Sequence, residues 1–204
     1  MNVEARVSGF EHPISGHRET FRAIIEAMAR PGHLVKINSQ VNIPDILNPA
    51  AAATCLTLLA DETPLWTDLS WNVSAVNWFQ FQCGCSIVTE PCMARFALIT
   101  QPAAMPPLDN FSIGDEAHPE SAATLIVQVE RFNAYHGKII SGPGVKTTTH
   151  FAPEGIPPKF WDQWLLQEAL FPLGVDVIFT SNDILAALPR TTRILVPDVQ
   201  LEKY

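Results

Sequence analysis

Residues 171–193 read FPLGVDVIFTSNDILAALPRTTR, and their chemistry decides the fold. Val175, Val177, Ile178 and Phe179 form an apolar, largely β-branched run, the signature of a buried strand. Asp176 interrupts it. A carboxylate in such a run costs free energy unless donors meet it. Ser181, Asn182 and Asp183 then turn the chain. Ile184 to Leu188 is apolar again, so the span predicts a β-hairpin. It exits into Pro189, Arg190, Thr191, Thr192 and Arg193. Two guanidiniums and two hydroxyls on a proline-stiffened corner suit phosphate or phosphonate oxygens. The plainer reading, preferred on chemistry alone, pairs Arg190 with Asp176 or a neighbour as a staple across the hairpin.

Upstream, strands and helices alternate. Phe21, Ile24, Ile25 and Met28 recur at i, i+3, i+4 and i+7, predicting an amphipathic helix with Arg18 and Arg22 elsewhere on it. Pro31 and Gly32 stop it. Leu34 to Ile37 reads as a strand. Asn48 is a helix cap, Pro49 takes the first helical position, and the helix continues from Ala50 to Leu59. Leu65 to Thr67 is a short strand. Ser70 is expected to cap a third helix, with Ala75, Trp78, Phe79 and Gln82 near one face and Gly84 at its end. Arg95 to Thr100 reads as a strand and Leu108 to Ile113 as one helical turn. Thr124 to Val129 is a near-continuous apolar strand, buried on both faces. Lys138 to Ile140 is expected beside it in the sheet, ending in the turn Ser141-Gly142-Pro143-Gly144. Pro157 and Pro158 open a helix from about Lys159 to Leu170, with Phe160, Trp164 and Gln167 on one face and Trp161, Leu165 and Glu168 on the next. The predicted fold is α/β, a mixed β-sheet flanked by helices on both faces. The 204 residues read as a single domain, with 1–17 an irregular N-terminal arm.

Charged residues make up only 17% of the chain, against a typical ~25%, and mean hydropathy is slightly positive. That leaves apolar surface for another chain to cover, and a homodimer is expected in isolation. The net charge of −8 argues against non-specific nucleic-acid binding, which needs an excess of cations to displace counterions. Arg18, Arg22 and Arg30 lie close enough in sequence to make one small basic pocket all the same. Residues 1–20 carry charges and no apolar run, no segment reaches 18 uninterrupted apolar residues, and a cytoplasmic protein without a membrane span is expected. Cys83-Gly84-Cys85 with Cys92 invites a metal reading, but zinc sites usually pair such cysteines or add nearby histidines, and the six histidines here are scattered. Ordinary free thiols are expected, and no metal ligand is assigned.

SGPGVKTTTH, residues 141–150, has the look of a phosphate loop. Lys146 follows Val145 rather than a glycine, Pro143 removes an N–H, and Thr147 to Thr149 disfavour the helix that should follow. A strand-ending glycine turn is the better reading. A pyridoxal-phosphate site needs a Schiff-base lysine and an acid for the ring nitrogen. Lys146 and Asp176 are the candidates, without a recognisable lysine motif. There is no G-x-S-x-G, and Asp61 and Glu62 after a helix end read as solvated or turn-bound rather than catalytic. Trp161 and Trp164 read as core or interface anchors rather than a base-stacking platform.

FPLGVD followed by LPRTT resembles the C-terminal signature of the PhnH family, the H subunits of the bacterial carbon–phosphorus lyase system. FRAIIEAMARPG from Phe21, LLADETPLW from Leu58, WFQFQCG from Trp78, HPESAATLIVQV from His118 and SGPGV from Ser141 resemble the family in the same order. The resemblance covers about residues 18–196. The chain departs from the family at Gln82 and Cys83, where His-Thr is usual, and near Arg95, where the family tends to carry an acid, so roles at those positions do not carry over. The resemblance implies a fold similar to the large α/β domain of pyridoxal-phosphate-dependent transferases, without the cofactor. It implies a non-autonomous subunit working with the G, I, J and L partners. That assembly replaces the adenine of ATP with an alkylphosphonate, yielding a ribose 1-phosphonate 5-triphosphate. No catalytic residue and no cofactor is assigned to this chain. Arg190, Thr191, Thr192 and Arg193, with Asp176, Gly142, Gly144 and Arg22, are its candidate anion or interface site. The competing readings are a stand-alone transferase using pyridoxal phosphate or binding nucleotide, and a nucleotide-binding regulator.

Overall fold

The computed structural model describes residues 9–38, 40–70, 73–133 and 137–195. In chain order the elements are α1 (Pro13–Ala29), β1 (Val35–Lys36), α2 (Pro49–Leu58), β2 (Pro64–Thr67), α3 (Ser74–Cys83), β3 (Ser86–Ile87), β4 (Phe96–Ile99), β5 (Thr124–Gln128), β6 (Lys138–Ser141), β7 (Thr149–Phe151), α4 (Lys159–Glu168), β8 (Asp176–Ser181), β9 (Ile184–Leu188) and β10 (Arg193–Leu195). A seven-stranded sheet runs in the order β1-β9-β8-β5-β4-β2-β3. From β3 to β8 every neighbouring pair is parallel, whereas β9 joins β8, and β1 joins β9, antiparallel. The result is a mixed sheet flanked by helices, in an α/β fold.

Alternation along the central strands builds two cores. Leu98, Ile126, Ile178 and Leu185 pack towards α1, α2 and α3. Ala97, Ile99, Leu125, Val127, Val177 and Phe179 pack towards α4 and a second sheet, β10-β6-β7. Phe160 and Trp164 of α4 are both essentially inaccessible there, and Phe160 meets Phe179 edge-on. Apolar residues on both faces are what a parallel strand covered on each side requires.

The hairpin forms where expected. Ser181 pairs with Ile184 across a two-residue turn, and Asn182 takes a left-handed φ of 50°, which asparagine tolerates. Asn48 caps α2: its side chain accepts from Ala51 N at 2.8 Å, and Pro49 sits in the first turn. Ala50 to Ala53 are wholly buried, so α2 is apolar all round because it lies inside.

Four expectations are corrected. Residues 1–17 are not an irregular arm throughout: residues 1–8 fall outside the described residues, and Pro13, with its preset φ, starts α1 inside that span. The helix buries Gly16, Thr20, Ala23, Ile24 and Ala27, while Phe21 and Ile25 face outward. Small residues win that face because α1 lies close: a Cβ on Gly16 would come 2.5 Å from Phe10 Cδ1. Ser70 does not cap α3, which begins at Ser74 after Val73; Ser70 only accepts Val73 N through its carbonyl. β6 is not β5's neighbour. β5 is flanked by β4 and β8, and β6 pairs with β7 and β10 in the second sheet. The Arg193 end of the corner continues into β10 of that second sheet.

Candidate functional site

Asp176 opens β8 and Pro189-Arg190 follows β9, so antiparallel pairing brings them together at one end of the hairpin. Asp176 Oδ1 accepts the backbone N–H of Arg190 at 2.8 Å. Arg190 Nε straddles both carboxylate oxygens at 3.2 Å, and an Nη of the same guanidinium donates to Oδ2 at 2.6 Å. The other Nη donates to Pro119 O at 2.7 Å and Pro172 O at 3.4 Å. Both side chains are mostly shielded. Arg190 thus ties the hairpin to two separate loops, and its fork is largely occupied before any ligand arrives.

The corner is fixed from the other side by α4. Trp164 Nε1 donates to Thr192 O at 3.0 Å, and Glu168 Oε1 accepts Ile194 N at 2.7 Å. Gln167, buried next to Glu168 on the same helix, donates to Val175 O and accepts Val175 N. Gly142 lies against the corner with φ 129°, and a Cβ there would come 2.9 Å from Thr191 O. Only glycine allows the strand-ending turn to lie so close.

These elements enclose a cleft of about 810 Å³. Arg190, Thr191 and Arg193 line one wall, Gly142 and Pro143 a second, and Leu165, Glu168, Ala169 and Phe171 a third. The Arg193 side chain is exposed on β10 and enters no ion pair among the described residues. It is the cation this cleft has to offer. Thr192 faces inward: its hydroxyl is buried and has no hydrogen-bond partner among the described residues. Apart from Phe171, which opens the FPLGVD motif, the Leu165–Phe171 wall carried no sequence motif. Its only signal was an apolar stretch running past the end of α4.

The candidate residues do not form one site. Arg190, Thr191, Arg193 and Gly142 share the cleft. Gly144 lines a second cleft of about 650 Å³ beside Lys146, His150 and the exit of α1, where a Cβ would strike Ala29 O. Arg22 lies exposed on α1 and lines neither. Arg18, Arg22 and Arg30 do not make a shared pocket either, because Arg30 pairs with Glu26 at 3.2 Å.

A pyridoxal phosphate does not fit these residues. Lys146 lines the second cleft, whereas Asp176, the acid a ring nitrogen would need, has both oxygens engaged by Arg190. Asp61 and Glu62 are exposed on a turn in which Glu62 N donates to Gly84 O. Burial and neighbouring Cys85 push the Cys83 thiol up to about 12, and burial raises Cys55 and Cys85 as well. Those three sulfurs stay protonated and poorly nucleophilic at neutral pH. Cys92 is exposed, and no group of three His, Cys, Asp or Glu side chains among the described residues could hold a metal ion. Gln82 is half-buried at the end of α3, and exposed Arg95 donates to Glu120 O.

The chain matches the family model described as bacterial phosphonate metabolism protein (PhnH) over residues 8–195. It is 33% identical over 197 residues to the alpha-D-ribose 1-methylphosphonate 5-triphosphate synthase subunit PhnH of Rhizobium meliloti (strain 1021), covering 95% of this chain and 98% of the relative. It is 39% identical over 82 residues to the putative C-P lyase subunit protein HtxG of Stutzerimonas stutzeri, covering 40% of this chain and 42% of that one. A match along nearly the whole length, including the hairpin, the stapled corner and the glycine turn, leaves one conclusion: the chain belongs to the PhnH family of bacterial phosphonate metabolism proteins.

Proposed function

We propose that this chain is a non-autonomous subunit of a carbon–phosphorus lyase assembly, acting with G, I, J and L partner subunits in phosphonate catabolism. The assembly's reaction joins ATP and an alkylphosphonate with loss of adenine. The relative from Rhizobium meliloti is named as a subunit of such a synthase. One observation carries the reading. Large apolar side chains stand exposed on both sides of the sheet: Ile14, Phe21 and Ile25 on α1, and Leu166, Leu170 and Phe171 around the end of α4. Surfaces of that kind are interfaces in waiting.

The chain's own contribution is a shaped, stapled surface rather than chemistry. Arg190 holds the corner, and Arg193 with the Leu165–Phe171 wall is the part we assign to partner or anion contact. In isolation the same wall would support a homodimer. We further read the mixed sheet with its flanking helices as a relative of the large domain of pyridoxal-phosphate-dependent transferases that works without the cofactor. A cytoplasmic setting belongs to the proposal, since ATP is the substrate of the assembly.

Reconstitution tests the proposal. Adenine release from ATP and methylphosphonate is measured with this chain alone, with the partner subunits alone, and with all together. Turnover is expected only in the complete mixture. Turnover by this chain alone, or full turnover without it, would falsify the reading.

A further inference from the structure

Helix α1 has its amphipathicity inverted. Its buried face is made of small residues, Gly16, Thr20, Ala23 and Ala27, with Ile24 beside them. At 100° per residue the opposite side carries Ile14, Arg18, Phe21 and Ile25, spaced four, three and four apart. That is the a/d spacing of a coiled-coil seam. Ile14 is 87% exposed, Phe21 50% and Ile25 52%, an unusual display for a single helix face.

The seam is also cationic. Arg18 lies within it and Arg22 on its flank, and neither has an ion-pair partner among the described residues. Glu26, one turn beyond Arg22, is paired with Arg30 at 3.2 Å. In a chain of net charge −8 this stripe runs against the overall sign. A second copy is a poor occupant. A parallel two-fold seam would set Arg18 against Arg18 of its mate, and an antiparallel one joining Ile14 to Ile25 would set Arg18 against Phe21, so neither gives the arginines of the seam an acid.

We propose that this face of α1 docks an amphipathic helix from another subunit of the assembly, apolar at the positions opposite Ile14, Phe21 and Ile25 and acidic opposite Arg18 and Arg22. The inference rests on the subunit reading above and adds to it the surface and the chemistry of the partner. Apolar contact along the seam supplies affinity, and the arginines fix register and partner choice.

The test uses the full chain and purified partner subunits. Two double variants are compared with the parent, Phe21→Gln with Ile25→Gln, and Arg18→Glu with Arg22→Glu. All four side chains are exposed, so both variants should keep the parent's melting temperature and its self-association. Binding to the partners should weaken at least about tenfold in each. Raising the salt concentration should weaken the parent's binding more than that of an Arg18→Gln, Arg22→Gln variant. Parent and variants joining the partners equally well would overturn this inference alone. Loss of self-association in the variants would overturn it too, by making the face a homodimer seam. A parent that fails to join the partners at all would overturn both this inference and the subunit reading.

Discussion

Asp176 and Arg190 are 16% and 14% exposed, and Arg190 donates six hydrogen bonds, four to the Asp176 carboxylate and two to loop carbonyls. Removing one member leaves the other's charge shielded from water without compensation, which costs far more than losing an exposed pair. Arg190→Ala is therefore expected to lower stability by about 3 kcal/mol. Arg190→Lys should recover only part of that, because a point charge cannot straddle both oxygens and still reach Pro119 O. Urea unfolding midpoints measure both effects. A midpoint equal to the parent's for Arg190→Ala would show that the pair contributes nothing. The pairing was legible in the sequence for a local reason: a lone carboxylate in an apolar strand demands donors, and the hairpin brings Arg190 level with it. The roles of the neighbours were not legible. Thr192 turns inward because β10 continues beyond the corner, and that strand exists only through pairing with β6, some fifty residues earlier in the chain.

Among the elements, α2 shows how one side chain can fix both a helix start and its place on the sheet. Asn48 Oδ1 caps the helix at Ala51 N, and its Nδ2 donates to Thr180 O at 3.2 Å and to the Thr180 hydroxyl at 3.3 Å at the end of β8. Asn48→Ala should cost about 1–2 kcal/mol, and Asn48→Asp, which keeps the capping acceptor and loses the Nδ2 donors, should fall between. Equal midpoints for the alanine and aspartate variants would show that the cap contributes nothing beyond the Thr180 contacts. Caps and turns such as Asn48-Pro49, Ser181-Asn182-Asp183 and Gly84 are chemically local, so the sequence carried them plainly. Sheet membership is not local. β6 looked like a partner for β5 from its apolar content, but which strand lies beside which depends on loops whose paths periodicity does not encode. The buried face of α1 misled for a related reason. Counting large apolar residues finds the wrong face when close packing favours small ones and the large ones serve another surface. The same dispersal separated Gly144 and Arg22 from the corner: nearness in a motif list carried no information on which cleft each would reach.

At the scale of the whole molecule, the exposed apolar areas on α1 and at the end of α4 differ in a way that divides their labour. The α1 stripe offers arginines only. The α4 area combines Leu166 at 71% exposure, Phe171 at 59% and Leu170 at 50% with a cleft lined by both Glu168 and Arg193. A surface carrying both signs can be its own complement, since a two-fold axis can set the arginine of one copy near the glutamate of the other. Stable dimers bury roughly 800 Å² on each partner, which needs several such side chains at once. The prediction is that the isolated chain self-associates through the α4 area. Leu166→Glu with Leu170→Glu should shift it to monomer in sedimentation velocity at micromolar concentration, with its melting temperature little changed, because both positions are exposed in the folded chain. Phe21→Gln with Ile25→Gln should leave the sedimentation coefficient of the parent intact. If the α1 variant dissociates and the α4 variant does not, the two surfaces have been assigned the wrong way round. A parent that sediments as a monomer removes the homodimer altogether, and then both areas must be covered by other subunits.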